Sequence, residues 1–303
     1  LDDGTKKTII LHADTFYTTK DTFTRGLDQL ITWLKDNYDK YDGFVILHGT
    51  DTMAYTASAL SYMLENLTKP VILTGSQLPI GQLRTDGREN LITSIEIAAA
   101  KNDDGTSKVP EVGIYFNGRL LRGNRTTKQS ADGFNAFESY NYPPLVEVGV
   151  NITYHEHRIL KPDYTKPMVA HLELNNNVII FSLFPGIRED LIRHIIATPN
   201  LRAIVMRTFG SGNAPQSPWI QKALKDAAKY GKIIVNISQC MQGSVEMGRY
   251  DTGYQLQEAG VISGHDSTVE SAVTKLMFLQ AYCKDVHEVR KMMSESIRGE
   301  MSV

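Results

Sequence analysis

Cysteine is nearly absent from this chain: Cys240 and Cys283 are the only two among 303 residues. Two thiols cannot build a disulfide framework, and they form no metal-ligand pair in sequence, so a reducing compartment suits the chain. An excess of one charge is missing as well. Lys and Arg number 32 against 34 Asp and Glu, a formal net charge of −2, which argues against a phosphate backbone or an anionic membrane as the main partner. No apolar run reaches the length of a membrane span. The opening residues, LDDGTKK, carry neither the apolar stretch of a signal peptide nor the Arg-rich pattern of a transit peptide. These absences predict a cytoplasmic protein whose partner is a small molecule or another protein chain. A Gly-rich dinucleotide fingerprint, a Walker loop, an HExxH helix and any solenoid-period repeat are missing too.

What is present is an alternation of short apolar runs and helical patterns, in a chain that is 42% hydrophobic and long enough for one large domain or two. The stretch around which the rest is organised is DGFVILHGTDTMAYTASALSYMLENL, residues 42–67. Residues 44–47 read as a buried strand, HGTDT as a polar turn, and Met53, Ala57, Leu60, Leu64 and Leu67 as one face of an amphipathic helix. In open α/β sheets ligands sit beyond the carboxyl ends of strands, where helix N-termini present unpaired N–H groups. Thr50 and Asp51 occupy that place, although helix capping alone explains the same residue types.

Further strands are expected at 8–12, 71–74 and 112–116, and helices through Leu27, Leu30, Ile31 and Leu34 and over residues 90–101. Asp86, closing the loop 76–86, is a candidate N-cap for the second of these. Residues 120–137 are too polar and irregular for a core element and read as a long loop. KPDYTKP and NNN mark 159–177 as an inter-domain linker. Beyond it VIIFSLFPG, AIVMRTFGSGNAP and KIIVNISQC alternate with helical patterns near 190–196 and 219–229, and two more helices follow at 268–282 and 286–293. The expected fold class is α/β, with a larger N-terminal domain over 1–158 that has a mainly parallel sheet, and a smaller C-terminal α/β domain over 178–303. His155 and His157 alternate as on one strand face, where solvated side chains are the plainer reading than metal ligands.

HGTDTMAYTASAL, TGSQLPIGQLRTDG, LLRGNRTTK, FGSGNAPQ and SQCMQG, in this order and at these separations, resemble the bacterial-type L-asparaginase family, its cytoplasmic branch in particular. The resemblance implies hydrolysis of L-asparagine, with L-glutamine as a second candidate substrate, through a threonine-linked acyl-enzyme and without metal or organic cofactor. It assigns Thr50, Asp51 and Lys128 to catalysis. A hydroxyl is a poor nucleophile until a base takes its proton, and a lysine can be that base; Asp51 can hold the lysine or the substrate's α-amino group. It assigns Gly49, Ser76 and Thr19 to substrate binding, the last where the family uses Ser for the α-carboxylate. Asn213 falls where the family reaches a neighbouring subunit's site, and Arg207 with Cys240 where an intersubunit effector pocket is proposed. Each has a plainer reading: a solvated lysine, turn residues at Ser76 and Asn213, and a buried structural cysteine. The family's homotetramer, a dimer of dimers, is the expected assembly. Its T-G-G-T-I nucleophile loop has no counterpart in the sequence, and the expectation is that a segment carrying it precedes Leu1. A non-catalytic amino-acid sensor on the same fold is the alternative. The amidase subunit of a tRNA-dependent amidotransferase is the weaker third reading, because no basic nucleic-acid footprint accompanies the motifs.

Overall fold

The computed structural model describes residues 8–12, 20–248 and 251–302, with side chains for 23–248 and 253–302. The chain forms two compact units, Leu1–Glu173 and Leu174–Val303. In the first, β1 (Thr8–His12), β2 (Gly43–Leu47), β3 (Val71–Thr74), β4 (Val112–Phe116), β5 (Arg119–Arg122), β6 (Val146–Val148) and β7 (Ile152–Tyr154) make one sheet in that spatial order. The first four strands run parallel, and the last three turn back in antiparallel steps. Parallel neighbours need crossovers. These are α1 (Lys20–Asn37), α2 (Met53–Met63) and α3 (Gly87–Ala99).

Phe44, Val45 and Ile46 on β2 and Val71, Ile72 and Leu73 on β3 are buried without alternation, the pattern of a parallel sheet covered on both faces. Helix α2 departs from the amphipathic expectation. All its residues except Tyr55 are buried, because Ala54, Ala57, Ser58 and Ala59 are small enough to let other chain segments close over the helix. A Cβ on Gly123 would stand 3.2 Å from the Ala57 Cβ. The helix also stops at Met63, short of Leu67, and Leu64–Glu65 pairs as a strand with Val169–Ala170.

Residues 120–137 are not a long loop. Leu120 to Thr126 are buried, with Gly123–Arg125 in a 3-10 turn and Thr127–Lys128 paired with Phe137–Glu138. Their polarity misled because the polar groups are partnered inside. Arg122 forms a 2.7 Å ion pair with Glu111, both side chains 4% exposed, and stacks on the Tyr142 ring. The segment expected as a linker is tied to the first unit along much of its length. Asn66 donates to the Asp163 and Lys166 carbonyls at 2.9 Å each and accepts the Asp163 N–H at 2.8 Å.

The second unit holds β8 (Val178–Ser182), β9 (Ala203–Thr208), β10 (Ile233–Ser238) and β11 (Ile262–Ser263), all parallel and in that order. Its helices are α4 (Glu189–Ile196), α5 (Pro218–Lys229), α6 (Asp251–Glu258), α7 (Val269–Tyr282) and α8 (Val286–Met293). Ile204, Met206 and Ile234 pack with Ile192, Ile220, Leu224 and Leu256 in its core. Pro218 sits at the start of α5, Thr268 caps α7 through the Ser271 N–H and Asp285 caps α8 through the Glu288 N–H, each the local chemistry that starts a helix. A Lys275–Glu300 pair at 2.6 Å is almost fully buried, and burial pushes the Lys275 pKa down. Two α/β units thus carry the alternation of strand and helix legible in the sequence.

Candidate active site

The ends of β2 and β3 are drawn together by the His48 N–H, which donates to the Thr74 carbonyl at 2.8 Å. A Cβ on Gly75 would lie 2.3 Å from the His48 carbonyl oxygen, so only glycine permits the approach. The buried His48 ring fastens the HGTDT turn to α2, with Nδ1 2.7 Å from the Gly49 carbonyl and Nε2 2.9 Å from Thr56 Oγ1. Desolvation lowers its pKa. In the neutral ring Nδ1 carries the proton, since a carbonyl only accepts, and Nε2 accepts from the Thr56 hydroxyl.

Neither Thr50 nor Asp51 caps α2. Thr52 takes the N-cap position and makes no side-chain cap bond. Instead both face Lys128, whose Nζ donates to Thr50 Oγ1 at 2.9 Å and to Asp51 Oδ1 at 2.6 Å. The buried turn Gly123–Arg125 brings Lys128 to this point, and its pairing strand is braced by a two-pronged Arg119–Glu138 contact at 3.0 Å. Lys128 is 18% exposed but Asp51 92% exposed, so water screens the ion pair and its effect is on geometry more than on stability. A lysine spending its ammonium on two side chains some 77 residues away in sequence is not the solvated lysine of the plainer reading.

Ser76 follows Gly75 at the end of β3 and is half-buried. Gly49 lends its carbonyl to His48. Thr19 lies outside the described residues. In the second unit Asn213 closes a turn with Phe209, each N–H donating to the other's carbonyl. Arg207 and Cys240 are neighbours at the carboxyl ends of β9 and β10. The Arg207 guanidinium lies 3.5 Å from the Gln239 carbonyl, its Nε is buried without a partner, and Cys240 is exposed. Among the described residues no cluster of three or more His, Cys, Asp or Glu is placed to hold a metal ion, and no helix is long and apolar enough to cross a membrane. His155 pairs with Glu147 at 2.6 Å, its ring against that of His157.

Residues 18–160 match the asparaginase N-terminal domain, and residues 177–293 the glutaminase/asparaginase C-terminal domain. The chain belongs to the asparaginase family. It is 47% identical over 272 residues to L-asparaginase 1 of Escherichia coli K12, covering 89% of this chain and 77% of that protein. It is 40% identical over 295 residues to the 60 kDa lysophospholipase of Mus musculus, covering 97% of this chain and 51% of that longer protein. Among solved structures, L-asparaginase I of Vibrio cholerae superposes with a TM-score of 0.86 at 43% identity, over 96% of this chain and 84% of the other. Asp86, Asn90, Gln77 and His48 make hydrogen bonds to the turns that carry Thr50 and Ser76 and to the loop after Lys128, and sequence reasoning did not single them out for it. The signal for Asp86 was present but was read as a helix cap.

Proposed function

We propose that the protein is an L-asparaginase that hydrolyses L-asparagine to L-aspartate and ammonia through a threonine-linked acyl-enzyme. The observation that carries the reading is Lys128 Nζ, held 2.9 Å from Thr50 Oγ1 and 2.6 Å from Asp51 Oδ1. With Nζ deprotonated, its lone pair accepts the Thr50 proton while an N–H still donates to Asp51. In acylation the pair takes the proton of the attacking threonine hydroxyl and hands one to the departing amide nitrogen, so that the C–N bond breaks and ammonia leaves as the ester forms on the threonine oxygen. In deacylation it takes a proton from the attacking water and returns one to the departing threonine oxygen as the ester opens to the carboxylic acid. The family's T-G-G-T-I loop, whose threonine takes the acyl group, has no counterpart in residues 1–303, and Thr50 is the second threonine, which moves protons. Asp51, largely open to solvent, has a second carboxylate oxygen for the substrate's α-ammonium.

The test is Thr50→Val, which removes the hydroxyl and keeps the shape. Ammonia release from asparagine is expected to fall about 10²- to 10⁴-fold, with the thermal midpoint unchanged. Full activity in the variant refutes the role, and asparagine binding without turnover in the unmodified protein favours the sensor reading.

A cytoplasmic location, a homotetramer of close dimers and an effector pocket belong to the same proposal. The pocket is supported by the places of Arg207, near the carboxyl end of β9, and of the exposed Cys240, two residues past β10. Asn213, on its braced turn, is assigned to a neighbouring subunit's site. Sedimentation at two protein concentrations tests the assembly, and strictly hyperbolic kinetics in asparagine count against the pocket.

A further inference from the structure

We propose that Asp86 and Asn90 are positioning residues that hold the peptide units flanking Ser76 for the substrate's carboxamide. The inference rests on the amidohydrolase reading above. Asp86 immediately precedes α3, where an aspartate ordinarily accepts an N–H of the helix's first turn, yet it makes no such cap bond. Its carboxylate is turned back onto the loop after β3. Both oxygens lie 3.0 Å from the Gln77 N–H, and Oδ1 also accepts the Leu78 N–H at 3.1 Å. Asn90, 3% exposed, donates through Nδ2 to the Gly75 carbonyl at 2.9 Å and to Asp86 Oδ2 at 3.2 Å. Its Oδ1 accepts the Asn117 N–H at 3.2 Å. These partners fix the amide orientation, because the flipped group would set its oxygen against two acceptors.

The carbonyl before Ser76 and the N–H after it are therefore both held. Among the described residues, Ser76 itself makes no hydrogen bond through its N–H, its carbonyl or its hydroxyl. Gly87 closes the packing behind it: a Cβ there would stand 3.1 Å from the Ser76 Cβ. Thr85 Oγ1 donates to the Leu78 carbonyl at 2.9 Å and accepts the Gly87 N–H at 3.0 Å, and Gln77 Nε2 reaches the Gly133 carbonyl at 3.1 Å, in the loop that follows Lys128. A primary carboxamide needs a donor for its oxygen and an acceptor for its NH₂, and the Ser76 residue offers both, braced on either side. Groups held in advance of the reaction lower its barrier because they need no reorganisation when charge develops. An unbraced loop would keep the same residues and lose the geometry.

The experiment compares Asp86→Ala, Asp86→Asn and Asn90→Ala with the unmodified protein, measuring kcat and KM for asparagine, the thermal midpoint, and L-aspartate affinity by calorimetry. Asp104→Ala is the matched control: it also removes a carboxylate that accepts a loop N–H, that of Thr106 at 2.9 Å, and is expected to leave kinetics unchanged. With positioning, Asp86→Ala and Asn90→Ala lower kcat at least about tenfold while KM changes less than about threefold, since Asp51 holds the α-amino group; a 1 Å misplacement costs up to about 10²-fold. Asp86→Asn, which keeps an acceptor oxygen, recovers part of the loss. Unchanged kcat and unchanged aspartate affinity per folded molecule in Asp86→Ala and Asn90→Ala overturn the proposal. If the unmodified protein releases no ammonia, the amidohydrolase reading has failed, and aspartate affinity decides the positioning role alone. It stands if Asp86→Ala binds aspartate more weakly, by up to about threefold, while Asp104→Ala binds as the unmodified protein does, and falls if affinity is unchanged. Should Asp86→Ala not fold, Asp86→Asn and Asn90→Ala carry the same comparison.

Discussion

Replacing Gly75 by Ala probes the point where the two halves of the site meet. The added Cβ would stand 2.3 Å from the His48 carbonyl oxygen and 3.1 Å from Met53 Cε. The methionine end swings aside, but the carbonyl belongs to the backbone. The strand ends must separate by roughly 0.7 Å to reach even the shortest tolerated contact of 3.0 Å. That opening strains the 2.8 Å bond from the His48 N–H to the Thr74 carbonyl. Overpacking of this kind costs about 1–3 kcal/mol, or about 3–10 °C in the midpoint of a unit of this size. Thr50 lies two residues past His48 and Ser76 one past Gly75, so the same movement drives Thr50 and Ser76 apart, and on the proposed function kcat/KM is expected to fall about 10²-fold. Calorimetric melting and steady-state ammonia release read the two effects. Gly81→Ala is the control, since a Cβ there meets nothing within 4 Å, and it is expected to be kinetically silent. A Gly75→Ala protein with unmodified kcat/KM and midpoint would refute the reasoning.

Two further outcomes follow from buried groups. Arg122→Met leaves the Glu111 carboxylate buried without its guanidinium and is expected to destabilise by about 3–5 kcal/mol in urea titrations, with part of the loss restored by adding Glu111→Leu. Desolvation lowers the His48 pKa below its ordinary 6.5, so an unfolded chain takes up a proton below pH 6.5 that the folded chain refuses. Stability is therefore full above 6.5 and lost as pH falls toward the folded value. His48→Gln is expected to flatten urea midpoints between pH 7.5 and 5, with some slope remaining because His265 is shifted the same way.

The strand, turn and helix from β2 to α2 were legible because branched residues, small polar residues and a helical period follow one another there. The burial of α2 at every position but Tyr55 was not, since Ala and Ser tolerate either environment and only the neighbouring turn decides it. Arg122 and Arg125 made 120–137 look like a surface loop, because no local pattern announces that Glu111 and Tyr142 receive them. The hairpin of β6 and β7 went unseen because each strand has three residues, too few for a period to register. The two-residue β11 was shorter still, and α6 has only eight residues. At the site, Thr50, Asp51 and Lys128 were legible as a family pattern, while their convergence depends on a fold that joins distant segments. Asp86 shows the limit most clearly: its residue type and position spell a helix cap, and its carboxylate points the other way.

The most direct measurement is ammonia release by Lys128→Met, beside its melting curve and its affinity for L-aspartate. If Lys128 moves the proton for Thr50, turnover falls at least about 10²-fold while melting and aspartate binding persist. Turnover equal to that of the unmodified protein would contradict the catalytic assignment of the Thr50, Asp51 and Lys128 cluster.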